Sequence, residues 1–282
     1  MSAEAKPFPE TRKGSITADR RETKYIFLFK EASRLRKLAE ENLPCHTYTA
    51  GRFITFITTL YLDTEDRSFF RQAESSPLEH IKLRAREYYY FNEELIEHAA
   101  SYETLFVYSP DIWLEIKERK FESTFKHRLR VPKRLLIRML AGADCKQEVL
   151  SVNSEDPDAQ TVFDLLQGYL QRRNGPPIFP SCLVHYRRRA FQNADETFRM
   201  TLDSGLSFHA AEPDLLVAQR PLIRENLGPS LYSPSWVLLE VKSTGRLPDW
   251  LMSALEQNKP VDFSKFRESS KLASEHCKSH EP

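Results

Sequence analysis

The chain has 282 residues, 40% of them hydrophobic and 29% charged, which is the composition of an ordinary globular protein able to bury a full core. Its 41 basic and 40 acidic side chains leave a formal net charge of +1, so bulk charge calls for neither a nucleic-acid nor a membrane partner. Any functional charge must be local, because side chains that cancel globally need not cancel in a cavity. Cys45, Cys145, Cys182 and Cys277 lie far apart with no C-x-x-C spacing. This pattern argues against a zinc site or disulfide framework and suits reduced thiols in the cytoplasm.

Residues 1–19 are polar, lack the apolar core of a signal peptide and read as a flexible tail. No apolar run approaches the ~20 residues that span a bilayer. A single domain is expected over 20–270, followed by a second flexible tail over 271–282. It begins with Glu22 and Lys24 and passes into an amphipathic helix over 29–41, with Ala32, Leu35 and Leu38 on one face. After the segment TLYLDTEDRSFF (59–70), in which Asp63 and Thr64 should shape a turn or cap a short helix, the period changes to two. Over 81–86, Lys82, Arg84 and Arg86 oppose Ile81, Leu83 and Ala85.

The same alternation recurs down the chain. Glu115 and Lys117 oppose Leu114 and Ile116, and Lys126, Arg128 and Arg130 align. A short helix fits 133–140, and a longer one fits 162–173, with Phe163, Leu166 and Leu170 together and a stop at Asn174-Gly175-Pro176. Further strands align His185 with Arg187 and Arg189, Arg199 with Thr201 and Asp203, and Glu240 with Lys242. Tyr186, Trp113 and Trp236 alternate away from the charged faces and are expected in the core. A last helix starts at Pro248 and packs Leu251 and Leu255. Loops are expected over 92–110, 142–160 and 210–232. One strand with charges on one face is usually a solvated sheet, but six such strands with helices available to cover their apolar sides point their charges at one another. The expected fold is α+β: a closed antiparallel β-barrel, a tunnel with charges inside and helices packed outside.

These segments, in this order, resemble the catalytic domain of the vacuolar transporter chaperone (VTC) type. That domain is the polyphosphate polymerase branch of the CYTH-like triphosphate tunnel metalloenzymes. The resemblance rests on ETKYIF (22–27), TLYLDTEDRSFF (59–70), IKLRAREY (81–88), WLEIKERK (113–120), FKHRLRVPK (125–133), VHYRRRAFQ (184–192), FRMTLDSGL (198–206), LLEVKSTGRLPDWL (238–251) and FSKF (263–266). The wider superfamily opens with E-x-E-x-K, whereas here Arg20 precedes Glu22 and Lys24. This departure favours the polymerase branch over simple triphosphatases or class IV cyclases. The phosphate-sensing SPX domain and membrane helices of eukaryotic VTC proteins have no counterpart in this sequence, so the resemblance is to a stand-alone catalytic domain.

The resemblance implies a transferase that moves the γ-phosphoryl of ATP to a growing polyphosphate, with Mn2+ or Mg2+. It implies catalytic roles for Lys24, Arg84, Arg86, Lys117, Arg187, Arg199 and Lys265, and substrate binding by Lys82, Lys126, Arg128 and Lys242. Metal binding falls first to Glu240, with Glu115 or Glu22 completing or orienting the shell. Two rival readings are a tunnel triphosphatase and a non-enzymatic polyphosphate-binding module. The missing second glutamate disfavours the first, and a retained metal carboxylate disfavours the second. Phe263 and Phe266 should anchor their segment so that Lys265 reaches inward, and Lys265→Ala is expected to melt almost normally.

Overall fold

The computed structural model describes residues 21–48, 51–92, 102–121, 123–171, 175–212, 215–216 and 220–279. Arg20 and the expected tail at 1–19 lie outside them. The first strand, β1 (Arg21–Leu28), runs into α1 (Phe29–Asn42). Next come β2 (Cys45–His46), β3 (Thr55–Thr64), α2 (Ser68–Ser75), β4 (Glu79–Phe91) and β5 (Phe106–Tyr108). Then follow β6 (Asp111–Lys120), β7 (Ser123–Pro132), α3 (Lys133–Leu140), α4 (Lys146–Ser151) and α5 (Ala159–Gln171). The chain ends with β8 (Ile178–Gln192), β9 (Phe198–Ala210), β10 (Trp236–Ser243), α6 (Asp249–Leu255) and α7 (Lys265–Ser279).

All of these strands join one antiparallel sheet in the order β1-β10-β9-β8-β3-β4-β6-β7, with β2 added to β8 and β5 to β4. The fold is therefore α+β with a large antiparallel sheet. Among the described residues no ladder joins β1 to β7, so hydrogen bonds do not close the sheet as a barrel. It is nonetheless strongly curled. Lys24 on β1 donates to the Phe263 carbonyl at 2.9 Å, and Lys82 on β4 donates to Ser264 Oγ at 3.2 Å. Five strand spacings separate β1 from β4, about 24 Å in a flat sheet, yet the two lysines meet adjacent residues whose Cα atoms are ~3.8 Å apart.

Apolar side chains explain which face is covered. Tyr25, Phe27, Met200, Leu239 and Val241 pack under α1 and α6 through Ala32, Leu35, Ala39, Leu251 and Leu255. The buried stripe of α1 uses Ala39, and Leu38 stays exposed. Leu114, Ile116, Leu129 and Val131 pack under α3, α4 and α5. Asp63 caps α2 as expected: its Oδ1 accepts from the Thr64 and Phe69 amides, and its Oδ2 accepts from the Phe70 amide. None of the described helices is long and apolar enough to cross a membrane.

Three expectations about loops and tails differ from what is observed. β5 occupies part of 92–110, residues 93–101 being outside the described set, and α4 occupies part of 142–160. Helix α7 continues to Ser279, through the region expected to be a tail from 271. Its buried stripe is Phe266, Ser269, Ser270 and Ala273, so small residues replace the large apolar ones that hydropathy detects. Cys182 Sγ lies 3.1 Å from Ser269 Oγ, a close approach that larger side chains would prevent.

Candidate functional site

Strand register places most of the expected residues on one face. Lys82, Arg84 and Arg86 stand opposite Lys117, Glu115 and Trp113 on β6, and these oppose Lys126, Arg128 and Arg130 on β7. At the other side of the sheet, Lys24 and Glu22 on β1 oppose Glu240 and Lys242 on β10, which oppose Thr201 and Arg199 on β9. The curl brings the two sides into electrostatic contact: the Glu22 carboxylate raises the Lys117 pKa, whereas burial, acting more strongly, lowers it to about 8.

Two carboxylate clusters organise the cations. Glu115 is fully buried and lies 2.8 Å from both Arg84 and Lys126, with Arg86 at 3.8 Å. Burial alone would push its carboxyl up, but Lys126, Arg84 and Arg86 together hold it well below the usual carboxylate range. The second cluster joins Glu240 to Asp203. Lys265 Nζ sits 2.7 Å from both Glu240 Oε1 and Asp203 Oδ2. Arg188 grips Asp203 through two contacts of 2.6 and 2.7 Å and reaches Glu240 Oε2 at 3.2 Å. Burial opposes ionisation of Glu240 as well, and Lys265, Arg188, Lys24 and Lys242 reverse it.

Lys265 is the first residue of α7, and Phe266 beside it packs on Tyr61 with ring centroids 4.9 Å apart. Phe263 meets Trp236 edge-on at 5.2 Å. The two phenylalanines thus anchor the segment as expected, and Lys265 turns onto the charged face over the Tyr186 ring at 4.8 Å.

Arg187 is not on this face. It is exposed beside Gly205, which has a φ of +60° and where an added Cβ would lie 3.1 Å from the Arg187 guanidinium. Arg189 pairs outward with Glu40 of α1, and His185 is buried against Thr58 and Tyr89 on the outer side. The period-two alignment of His185, Arg187 and Arg189 therefore holds, but it marks the outer face. Arg188, which sequence reasoning missed, is the arginine that joins the site. In Arg187-Arg188-Arg189 both parities carry charge, so counting charges selects the wrong one.

The expectation that Tyr186, Trp113 and Trp236 turn away from the charged faces needs correction, although Tyr186 and Trp113 do lie in the core and Trp236 packs against it. Tyr186 and Trp113 are buried, but they line the charged face, where Arg188 and Arg128 lie over their rings at 5.3 and 4.4 Å. Trp236 shares the parity of Glu240 and packs on Phe263. Aromatic faces attract cations, so burial here accompanies the site. Arg199 contacts Tyr48, which lies 6.3 Å from Tyr88 between ring centroids.

For a divalent metal the carboxylate supply is limited. Among the described residues no group of three or more His, Cys, Asp or Glu forms a ligand cluster. Glu22 contacts Lys24 and Lys242 at 3.2 Å, one on each oxygen, and its side chain is 30% exposed. Glu240 lies diagonal to it across the β1–β10 ladder, with Lys265 and Arg188 on its two oxygens and its side chain 14% exposed. These two carboxylates would be the ones to hold a hydrated hard cation, which takes one or two carboxylates and completes its shell with water and phosphate. Glu115 does not fit that role, because it is enclosed by three cations and shut off from solvent.

Comparison with protein families matches the VTC domain over residues 19–274. Among solved structures, the chain is similar to a candidate adenylyl cyclase from Hippeastrum described as having a dominant triphosphatase activity. That match has 12% identity over 89% of this chain and 94% of the other, with a TM-score of 0.46. It is also similar to a candidate adenylate cyclase from Bacillus halodurans, at 11% identity over 93% of this chain and 90% of the other, with a TM-score of 0.39. No curated protein matches it.

Proposed function

This chain belongs to the VTC domain family, and we propose that it is a polyphosphate polymerase working inside a basic tunnel formed by the curled sheet. In the reaction, a terminal oxygen of the growing polyphosphate attacks the γ-phosphorus of ATP. The bond from that phosphorus to the β,γ-bridging oxygen breaks, and ADP leaves. Such a transfer needs positioning and charge neutralisation more than covalent help from the protein. The observation that carries this reading is the convergence on one face of Arg84, Arg86, Arg188, Lys24, Lys82, Lys117 and Lys265, with the 263–265 segment lying among them.

The cations divide by role. Lys265 and Arg188 are fixed by Glu240 and Asp203, so their positive charge is held in place before a phosphate arrives and need not reorganise during transfer. Arg84 is fixed by Glu115 in the same way. Lys82, Lys117, Lys126, Arg128, Arg199 and Lys242 would run along the polyanion, the arginines as planar forks. Glu240 and Glu22 would hold Mn2+ or Mg2+, which would neutralise charge on the β- and γ-phosphates.

The test is incubation with ATP and Mn2+, followed by gel separation of polyphosphate and assay of nucleotide. Long polyphosphate with stoichiometric ADP is the expected result. Orthophosphate without polymer would make the chain a hydrolase, and binding without turnover would make it a polyphosphate-binding module.

A further inference from the structure

One row of the charged face opposes the usual pairing rule. Lys82, Lys117 and Lys126 stand directly across from one another on β4, β6 and β7, where like charges destabilise a ladder. Lys126 reaches Glu115 at 2.8 Å, yet burial outweighs that attraction and, with Arg84, Arg86 and Arg128 beside it, holds its ammonium down to about 7. Lys117 forms no ion pair with any described residue. Lys82 forms none either: its contacts are Ser264 Oγ at 3.2 Å and the Phe266 ring at 5.9 Å. The charged groups facing Lys82 are Lys117 from β6, Lys24 and Glu22 from β1, and Arg84 and His80 on its own strand. Asp262 also feels Lys82, but it pairs with Arg267 at 2.6 Å. Burial first, then Lys117, Lys24 and Arg84, holds the Lys82 ammonium down to about 7. A partly desolvated lysine beside other cations is the arrangement that makes an amine nucleophilic near neutral pH.

We propose that Lys82 is an acylation site for small acyl phosphates. The inference rests on the phosphate-binding reading of this face. The phosphate of the acyl phosphate would sit against Lys117 and Lys126, bringing its carbonyl carbon to Lys82. The Nζ lone pair attacks that carbon, and the bond from the carbon to the phosphoryl oxygen breaks. Orthophosphate leaves with the electron pair and takes up the proton that the amine loses. The product is an amide that can no longer take up a proton, so each event abolishes the ammonium form at this position, relieves the repulsion of the row and weakens its hold on a polyanion.

The full chain is incubated with acetyl phosphate near neutral pH, and acetylation of each lysine is followed over time by peptide mass spectrometry. Lys82 is expected to react at least about tenfold faster than Lys271, an exposed lysine of α7, because burial and the neighbouring cations favour its free amine and the row would seat the phosphate beside it. Inorganic tripolyphosphate should slow labelling of Lys82 and leave Lys271 unchanged. Labelling of Lys82 no faster than that of Lys271, or labelling that tripolyphosphate does not slow, overturns the proposal. Polymer synthesis by the untreated chain is scored separately. Selective, protectable labelling without polymer would retain the acylation site and remove the polymerase reading, and the converse result would do the opposite.

Discussion

Around Glu240 every charge has a partner. Lys265 and Arg188 are shared between Glu240 and Asp203, all four side chains being largely shielded from water. On the β4–β6 side, Lys82 and Lys117 face each other with no carboxylate in ion-pair reach among the described residues. In the first arrangement the cations are held in position by carboxylates before any phosphate arrives. The second is complete only when an anion joins it. A substitution in the first region should therefore cost stability as well as activity. One in the second should cost activity while relieving strain in the fold.

The largest expected effect is at Glu115, the paired region's counterpart on β6. Glu115→Ala leaves the largely buried Arg84 and Arg86, and the partly exposed Lys126 beside them, without their counter-charge. Removing one partner of a buried ion pair costs about 3–5 kcal/mol. Chemical denaturation should show a loss in that range, partly restored by tripolyphosphate. A loss below about 1 kcal/mol would mean that water already screens the cluster.

Glu240→Gln and Lys265→Ala come next. Each should lower polymer synthesis by about 10²-fold or more, as loss of a preorganised charge near the transferring group does. The sequence alone suggests that Lys265→Ala melts almost normally, but Lys265 is 9% exposed and bridges two carboxylates. It should lose about 1.5–3 kcal/mol, the worth of hydrogen bonds to charged groups. Lys271→Ala on the exposed face of α7 should change neither quantity. Equal polymer yield from Lys265→Ala and Lys271→Ala would remove the α7 terminus from the site.

A third comparison uses neighbours in sequence that lie on opposite faces. Arg188→Lys keeps the charge but loses the two-pronged grip on Asp203, and it should lower turnover by about tenfold. Arg187→Lys, exposed beside Gly205, should change turnover by less than about twofold. The reverse order would mean that β8 presents its other face to the substrate.

Why Arg188 escaped the sequence reading, while Lys82, Arg84 and Arg86 did not, follows from pattern contrast. In Ile81–Arg86 the two parities differ sharply, charged against apolar, and only one register buries the apolar set. In Arg187-Arg188-Arg189 both parities are charged, and the outer face is itself polar, with His185 buried against Thr58 and Tyr89. Helices α1, α3, α5 and α6 were legible because large apolar residues repeat along them. Helix α7 was not, because serines and an alanine fill most of its buried stripe. The curl of the sheet was legible only in outline: charges that must converge imply curvature, but whether the end strands hydrogen-bond to each other leaves no mark on periodicity.

The smallest effect tests the unpaired row through pH. Burial and neighbouring cations lower Lys82 to about 7 and Lys117 to about 8, against about 10.4 for an unfolded lysine. Between those limits the unfolded chain binds more protons than the folded one, so stability contributed by these groups rises with pH. The penalty is fully present below about pH 7 and is relieved as pH climbs towards 10. Buried tyrosines and cysteines with raised pKa values, Tyr61 and Cys182 among them, act in the opposite direction over part of the same window. The raw slope is therefore ambiguous, and the difference between two chains is the useful quantity. Lys82→Met removes one charge from the row while keeping an unbranched apolar stem against Phe266. At pH 7 the variant should melt above the parent, by roughly 2–4 °C for each kcal/mol of repulsion removed. That advantage should shrink steadily as pH rises to 10. Tripolyphosphate should raise the melting temperature of the parent more than that of the variant at pH 7. A variant that melts below the parent at pH 7, or an advantage that does not change with pH, would show that Lys82 is already neutralised and that the two regions do not differ in kind.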